Sequence, residues 1–160
     1  MIVYLVRHGI AEDWPESGRD RDRRLTEQGR SRLKHSGRGL KKLGVKPDVI
    51  LTSPFLRAAE TAAILAETLN RPNSLQTVEL LQSGGGSEEH IRELLDDQAN
   101  EVMIVGHQPE MSLMAEELVG RGARLVFKKG SVCRIELADP LAEGHLVWLL
   151  APKVLVELGK

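Results

Sequence analysis

The chain opens on a continuous apolar run, Ile2 to Val6, which ends abruptly at Arg7-His8-Gly9. β-Branched, aromatic and aliphatic residues without clean alternation mark a strand buried on both faces of an α/β sheet. Ile10 to Arg24 is polar, crowded with Asp, Glu and Arg, and reads as a long loop of the kind that carries function in compact domains. Leu25-Thr26 opens a helix, with Thr26 as N-cap and Leu33, Leu40 and Leu43 on an apolar stripe before Gly44. A second strand, Asp48 to Thr52, leads into Ser53-Pro54. Here Ser53 is expected to cap a helix and Pro54 to begin it, the helix running to about Leu69. Ser74 to Leu80 reads as a third strand, Leu81 to Gly86 as a glycine-rich connector, and Ser87 to about Gln98 as a helix capped by Ser87. Glu101 to Val105 is a fourth apolar strand ending on Gly106-His107, and Pro109 starts another helix. Ser131 to Leu137 and Leu146 to Leu150 read as two further strands in a hairpin arrangement through Asp139-Pro140 and Gly144.

Strands alternating with helices imply a mainly parallel sheet whose strand ends gather along one edge. In such sheets ligands bind beyond the carboxyl ends of the strands. The length of 160 residues fits one domain, residues 1–160, large enough to hold its core without disulfides or structural metal. Lys and Arg number 22 against 23 Asp and Glu, so net charge gives no reason for attraction to nucleic acid or to a membrane. An anion site in such a chain has to be local. The single cysteine, Cys133, lies in an alternating strand-like stretch and cannot form an internal disulfide, which suits a reducing compartment. No apolar stretch approaches the length of a spanning helix and the N-terminus lacks a secretory pattern, so the expected location is the cytoplasm.

Reading only the strand ends collects Arg7, His8 and Gly9 after the first, Ser53 and Arg57 after the second, Glu79 near the end of the third, and His107 after the fourth. Guanidinium forks match tetrahedral oxyanions, and Arg57 lies where the first turn of a helix also favours an anion. The set describes phosphoryl transfer without a metal or other cofactor. His8 is the candidate nucleophile, and Arg7, Arg57 and His107 are candidates to hold the equatorial oxygens. Neighbouring arginines disfavour protonation of His8 and keep it nucleophilic. A zinc site is the competing reading, but no His-x-x-x-His or Cys/His cluster is present and arginines repel a cation. His35, His90 and His145 lack partners suggested by the sequence and are expected to be solvated or structural.

Arg7-His8-Gly9, Ser53-Pro54-Phe55-Leu56-Arg57-Ala58 with Thr61, and Gly106-His107, in this order, resemble the histidine phosphatase superfamily, and most of all its small SixA-type phosphohistidine phosphatases. The resemblance runs through almost the whole chain. It implies a phosphoglycerate mutase-like α/β/α sandwich around a mixed sheet of about six strands, and a phosphohistidine intermediate on His8. It also implies a phosphate contact from an arginine of the long loop. Arg23 is the matching position, but Arg24 stands where such proteins often have proline, so Arg21, Arg23 and Arg24 compete for the role. Larger members of the superfamily use a carboxylate after the third strand as general acid, which points to Glu79. An ordinary charged strand-end residue is an equally good account of Glu79. If the substrate is a phosphohistidine, its imidazole leaves readily and a strong acid is not required.

Three functions follow from the resemblance. The first is a phosphatase acting on a phosphohistidine-bearing protein, such as a phosphotransfer domain of a phosphorelay. The second is a phosphatase or mutase for small phosphorylated metabolites. The third is a non-catalytic phosphate-binding module, which the presence of both histidines and both arginines argues against. The segment from Glu79 to Asn100 is too short for the helical insertion of mutase-like relatives. An open site of this kind favours the protein substrate.

Overall fold

The computed structural model describes residues 1–95, 99–120 and 122–160. Its main elements are β1 (Ile2–Arg7), α1 (Glu27–Lys42), β2 (Val49–Thr52), α2 (Leu56–Thr68), β3 (Leu75–Thr77), β4 (Glu101–Gly106), α3 (Glu110–Val119), β5 (Val132–Glu136), β6 (His145–Leu150) and α4 (Pro152–Leu158). The strands form one mixed sheet in the order β3-β2-β4-β1-β5-β6. β3, β2, β4 and β1 run parallel, whereas β5 is antiparallel to both β1 and β6. Helices cover both faces, giving the expected α/β/α sandwich.

The unbroken apolar runs of β1 and β4 follow from this placement, because successive side chains enter opposite layers. Val3, Leu5, Val102 and Ile104 pack with Met111, Met114 and Leu118 of α3. Tyr4, Val6, Met103 and Val105 pack with Leu40 of α1, Ala58, Ala62 and Leu65 of α2, and Leu155 of α4. Thr26 caps α1 by accepting the Gly29 N–H at 3.0 Å, as its position predicts.

Three local expectations are corrected. The third strand is confined to Leu75–Thr77 at the sheet edge, because the chain turns into a 3-10 segment at Glu79–Leu81 and carries Leu81 into the core. Ser53 does not cap α2. Phe55 keeps an extended backbone and α2 starts at Leu56, while the Ser53 hydroxyl accepts the Phe55 N–H at 3.1 Å. The segment after the glycine-rich loop is a 3-10 helix, Ser87–Leu94, preceded by left-handed Gly86. Ser87 is its first residue rather than its cap. The expected helix end at Gln98 lies outside the described residues. Beyond β6, where the sequence reading stops, the chain forms α4, with Pro152 as its first residue. Gly39 lets α1 approach α4, since a Cβ there would collide with the Leu155 carbonyl.

Candidate active site

Strand register assembles the site. Arg7 of β1 pairs with Gly106 of β4, and Thr52 of β2 pairs with Val105. His8, His107 and Ser53 therefore emerge in one row from three adjacent strand ends. Backbone bonds continue the ladder one residue further, from His8 N–H to the Gly106 carbonyl at 3.0 Å and from Ser53 N–H to the Val105 carbonyl at 3.1 Å. The side chains in this row are buried: His8 is 5% exposed, His107 2% and Ser53 0%.

His8 Nδ1 lies 2.7 Å from the Gly9 carbonyl. A carbonyl only accepts, so Nδ1 carries the proton and Nε2 presents its lone pair. Arg57 Nε donates to that Nε2 at 3.2 Å. Burial pushes the His8 pKa down to about 3. The Gly9 carbonyl opposes the shift, and charge at His107, Arg57 and Arg7 adds to it. His107 falls to about 4, again chiefly through burial, with Arg57 next. Both rings are neutral at pH 7. His107 Nε2 is 2.8 Å from Ser53 Oγ, and its ring meets the edge of Phe55. The two histidine ring centroids are 5.3 Å apart.

Three arginines surround the histidines. Arg57, in the first turn of α2, is only 4% exposed. Its Nη1 and Nη2 bind the backbone carbonyl and carboxylate of Asp20 at 2.8 and 3.0 Å. Arg23 Nη1 binds the other Asp20 oxygen at 3.0 Å, and Arg23 Nε binds the Glu12 carbonyl at 2.6 Å. Arg7 Nη1 donates to the Phe127 carbonyl at 2.7 Å. Arg7 Nε and His107 Nδ1 are buried without a hydrogen-bond partner among the described residues. Unpaired buried polar groups are uncommon, and the free N–H of Arg7 at a strand end suits an incoming anion.

The structure thus brings Arg7, His8, Arg57, His107 and Ser53 together. Among the competing loop arginines, Arg23 is the one whose charge lowers the pKa values of Arg57 and His107, whereas Arg21 and Arg24 are exposed. Gly9 is closely packed: a Cβ there would come 2.7 Å from Leu33 Cδ1, and the Leu33 side chain would have to shift. Its N–H binds Thr61 Oγ1 at 3.1 Å. Glu79 begins the 3-10 turn after β3 and is exposed, with no side-chain hydrogen bond among the described residues. Sequence reasoning missed Asp20, which bridges Arg57 and Arg23. Its spacing three residues before Arg23 was the available signal, but Asp22 and Asp13 sit in the same polar loop. Also among the described residues, no group of three or more His, Cys, Asp or Glu side chains is arranged to hold a metal ion.

Residues 3–83 match the family described as Histidine phosphatase superfamily (branch 1). The chain belongs to the histidine phosphatase superfamily. It is 33% identical to an uncharacterised protein of Picosynechococcus, over 98% of this chain and 99% of that protein. It is 27% identical to the phosphohistidine phosphatase SixA of Escherichia coli, over 95% of this chain and 94% of that one. Among solved structures, the protein histidine phosphatase SixA complexed with tungstate superposes with a TM-score of 0.85 at 26% identity, covering 97% of this chain and 99% of that chain. Within the superfamily fold, the row of strand ends described above is the part of this chain that gathers histidine and arginine.

Proposed function

We propose that this chain is a metal-independent phosphohistidine phosphatase acting on a protein substrate in the cytoplasm. The carrying observation is the state of His8: buried, neutral, with its lone pair on Nε2 and Arg57 Nε against that atom. His8 Nε2 attacks phosphorus. A P–N bond to His8 forms as the P–N bond to the substrate imidazole breaks, and the leaving nitrogen takes up a proton. Water then attacks phospho-His8, releasing phosphate and restoring the ring. Arg7, Arg57, Arg23 and His107 hold the oxygens as negative charge redistributes over them. Glu79, after β3, is the candidate to supply a proton where the leaving group needs one.

The protein substrate is supported by two features. Between β3 and β4 the described chain forms only 3-10 segments, with no α-helical insertion to close over a small molecule. The similarity to SixA also spans nearly the full length of both chains. The lone, buried Cys133 suits a reducing compartment, and none of the helices among the described residues is long and apolar enough to cross a membrane. The test is a side-by-side assay of a phosphohistidine-bearing phosphotransfer protein against sugar and glycerate phosphates, in buffer containing a chelator. A large preference for the protein is expected. A large preference for the metabolites would make the chain a small-molecule phosphomonoesterase or mutase. His8→Ala should abolish phosphate release; unchanged turnover would remove the mechanism.

A further inference from the structure

Ser53, the third residue in the row of strand ends, already has two neighbours on its hydroxyl. It is fully buried. Its oxygen accepts the Phe55 N–H at 3.1 Å and lies 2.8 Å from His107 Nε2. A serine hydroxyl has one proton and two lone pairs, so two assignments are available. In the first, His107 Nε2–H donates to Ser53. The hydroxyl proton then has no acceptor among the described residues, and the lone pair on His107 Nδ1 is unmatched too, because Nδ1 is buried without a partner. In the second, Ser53 donates to Nε2. The hydroxyl is satisfied at both ends, and a single group is unmet, the Nδ1–H of His107. Buried polar groups are satisfied wherever the structure permits, so one unmet group is favoured over two.

We propose that Ser53 is a positioning residue: its hydroxyl donates to His107 Nε2 and holds the neutral ring in the tautomer that carries its proton on Nδ1, as a preset donor for a phosphoryl oxygen. The inference rests on the reading of His107 as an oxyanion ligand. The consequence is chemical. A neutral histidine with its proton on the wrong nitrogen would present a lone pair to an anion. With Ser53 in place the ring is a donor without being charged, which matters because burial and Arg57 both oppose protonation. Phe55 adds an edge contact to the same ring, so its plane and its proton are set by adjacent residues on the segment between β2 and α2.

The experiment is nitrogen-15 NMR of histidine-labelled protein, without ligand and with tungstate, for the wild type, Ser53→Ala and Ser53→Thr. In the wild type His107 should show a protonated Nδ1 and an unprotonated Nε2, and tungstate should shift Nδ1. Ser53→Ala should move the ring toward the Nε2–H tautomer and weaken tungstate binding on the order of tenfold. Ser53→Thr, which keeps the hydroxyl, should restore both. A wild-type ring already in the Nε2–H form would overturn the proposal without needing any variant to fold. Wild-type tautomer and affinity in Ser53→Ala would overturn it as well. A correct tautomer whose resonances ignore tungstate would instead remove the reading of His107 as an oxyanion ligand.

Discussion

Burial acts on His8 and His107 in the same direction, and the result reaches beyond chemistry into stability. In the unfolded chain both rings take up protons below about pH 6.5. In the folded chain they resist until about 3 and about 4. Between those values the unfolded state binds more protons, so stability rises with pH. It is fully present above about 6.5 and is lost as the pH falls toward 4, by at most about 1.4 kcal/mol per pH unit for each histidine. Urea unfolding at pH 7.5 and 5 should show this slope, and His107→Gln should flatten it. An equal slope in both proteins would place its source elsewhere. Asp20 carries the other residue-scale expectation. Its carboxylate, 54% exposed, occupies the guanidinium faces of Arg57 and Arg23 and so competes with any incoming oxyanion. Asp20→Asn should tighten tungstate binding about two- to fivefold, the range of exposed ion pairs. Weaker binding measured by calorimetry would mean that Asp20 orders the arginines instead. Arg7, His8, Arg57 and His107 were legible because each follows an apolar strand or opens a helix. Asp20 was not, because nothing along an exposed acidic and basic loop distinguishes the one carboxylate that folds back onto Arg57.

The elements divide along a similar line. β1 and β4, buried on both faces, left continuous apolar runs that could be read directly, and Thr26 marked the start of α1. The α2 boundary was misplaced because Ser53-Pro54 has the composition of a helix start, while the serine hydroxyl is committed to Phe55 N–H and His107. That choice is tertiary, and no local pattern contains it. α4 was overlooked for a different reason. Val154, Leu155, Val156 and Leu158 follow the apolar β6 closely, and only Pro152 at the first helical position punctuates them. The helix is nonetheless part of the core, with Leu155 fully buried among Leu40 and its neighbours. Leu155→Ala should cost about 2–5 kcal/mol in unfolding free energy. A loss below about 1 kcal/mol in urea titration would mean that α4 docks only loosely on α1.

At the scale of the molecule, the site belongs to no single element. It draws on the ends of β1, β2 and β4, on the first turn of α2, and on the loop between β1 and α1. That loop is tied down at its base by the Ala11–Leu25 bridge and further along by Asp20. An oxyanion that contacts all of these binds only where they are assembled, so its binding free energy adds to the stability of the whole fold. Tungstate at a hundred times its dissociation constant should contribute about 2.7 kcal/mol. For a chain of this length that is a rise in Tm of roughly 5–10 °C. Arg57→Ala should lose most of the rise, because it removes a buried guanidinium that otherwise faces His8 Nε2 and the loop together. Amide exchange adds the spatial test. Protection gained with tungstate should appear in residues 10–26 and at the ends of β1, β2 and β4, which are far apart in sequence. Protection confined to one segment would mean that the anion is held locally, and the shared site at the strand ends would have to be abandoned.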